Sequence, residues 1–417
     1  MMEYGCIALH LGHSFSKSIH EKIDTYDYVL REVPADELAR FMTERAFRGI
    51  NVTIPYKQDV IPFLDEISET AQRIGAVNTI VNRGGRLFGD NTDFGGMTAL
   101  IRRMGLDLSG RKVLVLGTGG TSKTALAVAS SLGASWVMPV SRRAQDGALT
   151  YEDVYAHHTD AQILINTTPV GMFPHTDGTP IRTDAFAHLE GVVDAVFNPL
   201  RTELVQTARA QGIAAQGGLY MLVSQAVLAA ERFTGKRYPD DLTDTVYRAM
   251  LAEKENVVLI GMPGSGKTTV GREVAKALGR TFVDLDDEIV RKAGRPISEI
   301  FASQGETAFR DLETEVTREV SVRNGLVIAT GGGCVLRAEN VRALRMNGRL
   351  LWIDRPLAQL IPTDDRPTAN SAEKIRALYQ TREPVYFASA DAVIRSDSDV
   401  RHVTDAVCNQ FREELFK

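Results

Sequence analysis

The sequence predicts an α/β protein built on parallel sheets, and three observations carry that expectation. Short apolar runs alternate with helix-period segments from end to end. Two glycine-rich turns, Gly117–Ser122 and Gly261–Thr268, each stand between such a run and the start of a helix. The runs ahead of them, Val113–Leu116 and Val257–Ile260, are continuously apolar, as buried strands are.

In chain order, strands are expected at Tyr4–Leu9, Tyr28–Val33 and Ile50–Ile54, followed by a hairpin. Its arms are Val77–Asn82 and Arg86–Gly89, with Gly84-Gly85 supplying the positive φ of a tight turn. A second block opens with Val113–Leu116 and a helix stopping near Gly133. Strands follow at Trp136–Val140, Ile163–Asn166 and Val192–Val196, then helices over Leu219–Thr234 and Asp240–Lys254. Pro139 has no amide donor, which predicts a distorted or short strand there. A fresh start is visible at Asn256, with the charged Glu253-Lys254-Glu255 read as a short linker. The expected domains are 1–100 with helices from about 219–250, then a Rossmann-type dinucleotide domain at 101–218, and a P-loop domain at 256–417.

Composition narrows the function. A chain of 417 residues exceeds one ordinary core, and 44% hydrophobic with 24% charged residues is a folded-domain composition. A net charge of -5 gives no global attraction to nucleic acid or anionic membrane, so any phosphate must be bound by local geometry. The N-terminus lacks a basic, apolar leader and no run is long enough to span a bilayer. Cys6, Cys334 and Cys408 show no paired spacing, which suits reduced thiols in the cytoplasm. Self-association stays open.

Gly261 to Thr268 reads G-M-P-G-S-G-K-T, a full P-loop, in the required strand–loop–helix context. Gly261, Gly264, Ser265 and Gly266 turn backbone amides toward phosphates, and Thr269 follows in the first helical turn. Lys267 adds a cation at the β/γ-phosphates of ATP, and the Thr268 hydroxyl can ligate magnesium (Mg2+). In F-V-D-L-D-D, strand alternation would place Asp284 and Asp286 on one side, one for the metal shell and one for an acceptor hydroxyl. Arg310 and Glu313 fall at i, i+3 on a helix, where the acid can orient the arginine as a carboxylate clamp. Gly331-Gly332-Gly333 lets a small ligand lie against backbone.

The turn Gly117-Thr-Gly119-Gly120 with Ser122 is a dinucleotide loop whose third glycine position holds serine. Where an acid would mark NAD, the chain has Ser141-Arg142-Arg143, which suits the 2′-phosphate of NADP(H) unless these are plain surface arginines. Ser14 and Ser16 could donate to a carboxylate, and Lys57 stands just beyond a strand-ending Pro55, with Asn78 and Asp93 downstream.

Residues 256–417, with GxxxxGKT, DxD, FRxxE, GGG, Arg366-Pro367 and Arg382–Tyr386, resemble the shikimate kinase family. That resemblance implies Asp284 on magnesium through water and Asp286 on the acceptor hydroxyl. It implies shikimate bound by Arg310, Gly332, Gly333 and Arg382, with Arg366 on a lid over the phosphates. The chain departs at Ile361, Pro362 and Thr368, in a short lid. Residues 1–250, with NVTIPYK, AVNT, GDNTD, GLYMLVSQ and FTG, resemble the shikimate dehydrogenase family. That resemblance implies Lys57 and Asp93 as catalytic pair, Ser14 and Ser16 on the carboxylate of 3-dehydroshikimate, and Thr53, Asn78 and Gln225 on ring hydroxyls. Asn166, Thr167, Gly218 and Met221 would lie near the nicotinamide. Phe197 stands where that family commonly has tyrosine. Two other readings remain: a dehydrogenase accepting quinate beside a kinase of another small polyol, or one half kept as a nucleotide-sensing scaffold.

Overall fold

The computed structural model describes residues 2–12, 14–145, 147–360 and 371–414. It comprises two compact units, Met1–Met250 and Leu251–Lys417.

The first unit holds two six-stranded sheets. Strands β1 (Met2–Ala8), β2 (Tyr28–Glu32), β3 (Phe47–Val52), β4 (Glu66–Ile67), β5 (Thr79–Arg83) and β6 (Arg86–Asp90) form a mixed sheet in the order β2-β1-β3-β5-β6-β4. The hairpin forms as expected, with Arg83 opposite Arg86 and positive φ at Gly84 and Gly85. The second sheet contains β7 (Lys112–Leu116), β8 (Trp136–Ser141), β9 (Leu149–Thr150), β10 (Ile163–Asn166), β11 (Gly191–Asp194) and β12 (Ala214–Gln216). Its order is β12-β11-β10-β7-β8-β9, all parallel. Val113 and Val115 pack into one core and Leu114 and Leu116 into another, so the run is apolar throughout because both faces are covered.

Pro139 does not shorten its strand: β8 runs six residues. The two-residue β9 meets it only at Val140 and Ser141, so the missing donor can face an open edge at Pro139.

The second unit has one parallel sheet of β13 (Asn256–Ile260), β14 (Thr281–Asp284), β15 (Leu326–Ala329), β16 (Gly348–Asp354) and β17 (Ala392–Arg395). Its order is β14-β15-β13-β16-β17, with separate cores on its two faces. In both parallel sheets the first strand lies between neighbours reached in opposite directions, the switch point where ligands bind in such folds. The supposed linker is not one. Glu253 and Lys254 end the helix Leu242–Lys254, which crosses the boundary, and Glu255 is fully buried against Arg349, 3.0 Å away.

Beneath the first sheet lies an internal histidine. His20 is stacked on Tyr28 with ring centroids 3.8 Å apart, and its Nδ1 meets the Tyr26 hydroxyl at 2.6 Å. Burial drives its pKa from 6.5 down to about 3. The folded state therefore keeps it neutral while the unfolded chain takes a proton below pH 6.5, so stability is intact above that pH and falls as pH drops toward 3. The expected slope is about 1.4 kcal/mol per pH unit within that window. His20→Phe should flatten it, read as the urea midpoint of Trp136 fluorescence in a Trp352→Phe background.

Candidate active sites

In the first unit, β3 ends and the chain turns through Thr53–Tyr56 to Lys57, while β6 leads through Asn91 into the helix Thr92–Arg103. The Asn91 side chain caps that helix by accepting from Phe94 N–H, which fixes Asp93 in its first turn. Lys57 Nζ and Asp93 Oδ2 meet at 2.5 Å, with both side chains about nine-tenths buried at 12% and 9% exposure. Lys57 is anchored from its own backbone as well, since Val77 N–H donates to its carbonyl.

Beside this pair lies a polar cluster. Asn78 Nδ2 donates to Gln225 Oε1 at 3.3 Å, and Asn78 Oδ1 accepts from Thr92 N–H at 2.7 Å. Thr92, which sequence reasoning missed, joins both through its hydroxyl; N-T-D was read only for its acid. The glycines of the following F-G-G were missed too. A Cβ on Gly96 would stand 2.6 Å from Met221 O and 3.0 Å from Gln225 Cβ, and one on Gly95 would stand 2.4 Å from Leu228. They let the helix Leu219–Thr234 close on Thr92–Arg103, which delivers Gln225. A doubled glycine inside a helix-period segment was the available signal.

Ser14 and Ser16 are half-buried at the start of the helix Ser16–Ile23, the Ser14 hydroxyl accepting from Ser16 N–H. Phe15 between them meets Phe197 with centroids 5.2 Å apart. Thr53 keeps its backbone on Ile7 and Tyr56.

The dinucleotide loop approaches the same pair: a Cβ on Gly120 would lie 3.5 Å from Lys57 Cδ. Gly117 has φ +112, and a Cβ there would strike Thr167 Oγ1 at 2.7 Å, so glycine is required twice over. Gly119 caps the helix Gly120–Ser131 without a side-chain bond, leaving first-turn amides for an anion. Buried Ser122, in the third glycine position, donates to Gly117 O at 2.6 Å and so braces the loop. Ser141 accepts from Arg143 N–H, while exposed Arg142 and Arg143 make no ion pair among the described residues. These residues fit a phosphorylated dinucleotide.

Asn166, expected near the nicotinamide, ends β10. It is fully buried, donates to Asp194 Oδ1 and accepts from the Thr168 N–H and hydroxyl, so its side chain braces the strand end. Burial lifts the Asp194 carboxyl to about 6 despite bonds from Thr202, Val196 and Asn166. Gly218 lies against Ala195, where a Cβ would be 2.3 Å from the carbonyl oxygen, and Met221 is buried three residues on.

In the second unit the P-loop follows β13. Gly261, Gly264 and Gly266 take φ +144, +81 and +92, conformations that only glycine adopts freely. Lys267 Nζ lies on the carbonyls of Gly261 and Met262, each at 2.9 Å. The Ser265 hydroxyl is buried with no partner among the described residues, which fits an anion seated in the loop. Thr268 and Thr269 are exposed on the first turn of the helix Lys267–Leu278.

Asp284 and Asp286 do meet, though not by strand alternation. Asp284 ends β14 and caps the helix Leu285–Ala293, its Oδ1 accepting from Asp286 N–H at 3.0 Å, so Asp286 is a helical residue. The other oxygen of Asp284 accepts from the Thr268 hydroxyl at 2.7 Å. Among the described residues no cluster of three or more His, Cys, Asp or Glu could hold a metal alone. A hydroxyl beside one carboxylate fits a hard cation that arrives with nucleotide phosphates.

Further along the same unit, Arg310 Nη1 bonds Glu313 Oε2 at 2.9 Å and Nη2 bonds Glu306 Oε1 at 3.1 Å. The three glycines each make room for a different group. A Cβ would lie 2.8 Å from Asp286 Oδ1 at Gly331, 2.6 Å from Pro263 at Gly332, and 2.4 Å from Arg310 Nη1 at Gly333. Arg382 is buried one turn before Tyr386, whose hydroxyl donates to Gly332 O. Arg366, with Ile361, Pro362 and Thr368, lies outside the described residues.

Fold and sites together define a pyridine-nucleotide oxidoreductase joined to a P-loop phosphotransferase. Residues 6–80 match the shikimate dehydrogenase substrate-binding domain, and residues 263–415 match shikimate kinase. A shikimate dehydrogenase (NADP(+)) of Clostridium beijerinckii is 34% identical over 58% of this chain and 96% of its own. A chorismate mutase/shikimate 5-dehydrogenase fusion protein from Clostridium acetobutylicum superposes with TM-score 0.57 and 31% identity, covering 60% of this chain and 97% of that one. The Thermus thermophilus shikimate 5-dehydrogenase in complex with NADP(H) and shikimate gives 0.54 and 30%, covering 60% and 99%. The chain belongs to the shikimate dehydrogenase family and carries a shikimate kinase domain behind it.

Gly333→Ala should drive the Arg310 guanidinium from its place. The expected result is a rise of roughly tenfold or more in acceptor KM at the second site, on the scale of one hydrogen bond to a charged group. The ATP KM should hold, as read by ADP release.

Proposed function

We propose that the chain performs two consecutive reactions: NADPH-dependent reduction of 3-dehydroshikimate to shikimate, and ATP-dependent phosphorylation of shikimate to shikimate 3-phosphate. One contact supports the first most directly, the buried Lys57–Asp93 pair standing against the dinucleotide loop. Bound NADPH supplies a hydride to the ketone carbon, and bound magnesium ATP supplies the transferred phosphoryl group. Lys57 gives its proton to the oxygen that becomes the new hydroxyl, and Asp93 keeps the ammonium aimed. Ser14 and Ser16 hold the carboxylate, while Thr53, Asn78 and Gln225 take ring hydroxyls. Arg142 and Arg143 meet the 2′-phosphate, and Thr167, Gly218 and Met221 line the nicotinamide side.

In the second unit Asp286 accepts the proton of the attacking hydroxyl. Arg310 and Arg382 grip the carboxylate beside the Gly332 and Gly333 amides. Lys267 leaves its loop carbonyls for the phosphates, Thr268 and Asp284 hold the metal shell, and Arg366 closes from the lid. Supporting the pairing, the product of the first site is the acceptor of the second. Both reactions are placed in the cytoplasm, in keeping with three free cysteines buried in the structure. No helix of the described residues is long and apolar enough to cross a membrane.

Lys57→Ala should lower NADP reduction by shikimate at least about a hundredfold and leave shikimate-dependent ATP turnover intact. Lys267→Ala should do the reverse. Loss of both activities from either change would exclude two independent sites. A single reaction of 3-dehydroshikimate, NADPH and ATP should yield the phosphate ester, detected by mass.

A further inference from the structure

We propose that Arg355 is a phosphate-binding residue of the kinase site, gripping the phosphate chain of the nucleotide from the end of β16. This rests on the ATP-dependent reading of the second unit. Strands β13 and β16 are parallel neighbours with Ile260 beside Trp352. They therefore release the chain at the same end of the sheet, β13 into the P-loop and β16 into Asp354-Arg355-Pro356. Gly266 stands at the last bend of that loop and caps the helix Lys267–Leu278. A Cβ built on it has as its nearest neighbour Arg355 Nη1, at 3.8 Å. The guanidinium thus lies in contact range of the turn that presents amides to phosphate.

Its electrostatic state differs from that of other half-buried arginines of this unit, which are matched with acids: Arg349 with Glu255, Arg310 with Glu306 and Glu313, Arg337 with Asp311. The adjacent acid, Asp354, is committed to Arg395 and to the Tyr379 hydroxyl. Among the described residues Arg355 has neither an ion pair nor a hydrogen bond, and its Nε is buried without a partner. A cation partly withdrawn from water, unmatched, and placed against an anion-binding turn is satisfied by an incoming polyphosphate. Arginine suits the task because its planar fork meets two oxygens at once. Lys267 is turned onto its own loop carbonyls, whereas Arg355 meets no carbonyl or carboxylate among the described residues.

The test uses the full chain, with Arg355→Met and Arg355→Lys, titrated calorimetrically with magnesium ADP and magnesium ATP and by ligand-observed NMR with adenosine. Arg355→Met should weaken both phosphorylated ligands by roughly tenfold to a hundredfold, leave adenosine unchanged, and raise the ATP KM by the same factor. The shikimate KM and the NADP reaction should hold, and Arg355→Lys should recover part of the loss. Magnesium ADP affinity within twofold of the parent overturns the proposal and leaves the kinase reading standing. So does an equal loss for adenosine, which marks a packing role. A parent chain that neither binds magnesium ATP nor phosphorylates shikimate overturns both.

Discussion

Binding phosphate with main-chain N–H groups imposes one constraint on this molecule. A strand must end, a turn must bend without side chains in the way, and a helix must begin, all within a few residues. Both parallel sheets are arranged around that event. In each, the first strand lies between strands reached in opposite directions, so its C-terminal end opens into a crevice rather than under a crossover. Burying the sheet on both faces is the structural cost, visible in Val113–Leu116 and Val257–Ile260 feeding separate cores above and below. Positive φ at Gly117, Gly261, Gly264 and Gly266 follows from the same need.

The chemistry is set next to these turns by shorter polar networks. Lys57 and Asp93 come from opposite ends of the hairpin region and meet because Asn91 and Asn78 fix the start of the Thr92–Arg103 helix. A buried ion pair gains little for stability, since desolvating both charges offsets their attraction. Keeping one here suits the proton transfer proposed for the first site. In the second unit Thr268, Asp284 and Asp286 are linked in a similar way, from the P-loop through a helix cap.

Much of this was legible in the sequence. The strand positions, the hairpin, both nucleotide loops and the Leu219–Thr234 helix follow from periodicity and glycine placement, which act locally. What escaped was mostly tertiary. Gly95 and Gly96 look like helix defects until a second helix is seen lying on them. Thr92 is anonymous in N-T-D because its partners are 14 and 133 residues away. Asp286 was given the right neighbour for the wrong reason, since a strand that stops at Asp284 hands the next residues to a helix whose period differs. The partner of Asn166 was hidden in the same way, since Asp194, which takes its amide, stands 28 residues further on.

The helix that crosses from one unit to the other has a practical consequence for taking the two enzymes apart. Met250 is wholly buried, within reach of the Ser18 hydroxyl, as part of the dehydrogenase. The carbonyls of Ala252 and Lys254, only a few residues later, receive Arg280 and Gly325 as part of the kinase. Since β13 follows almost at once, no dispensable spacer separates the two coding regions. A cut at Met250 therefore falls inside the helix Leu242–Lys254, while one after Lys254 takes from the kinase the carbonyls that Arg280 and Gly325 bond.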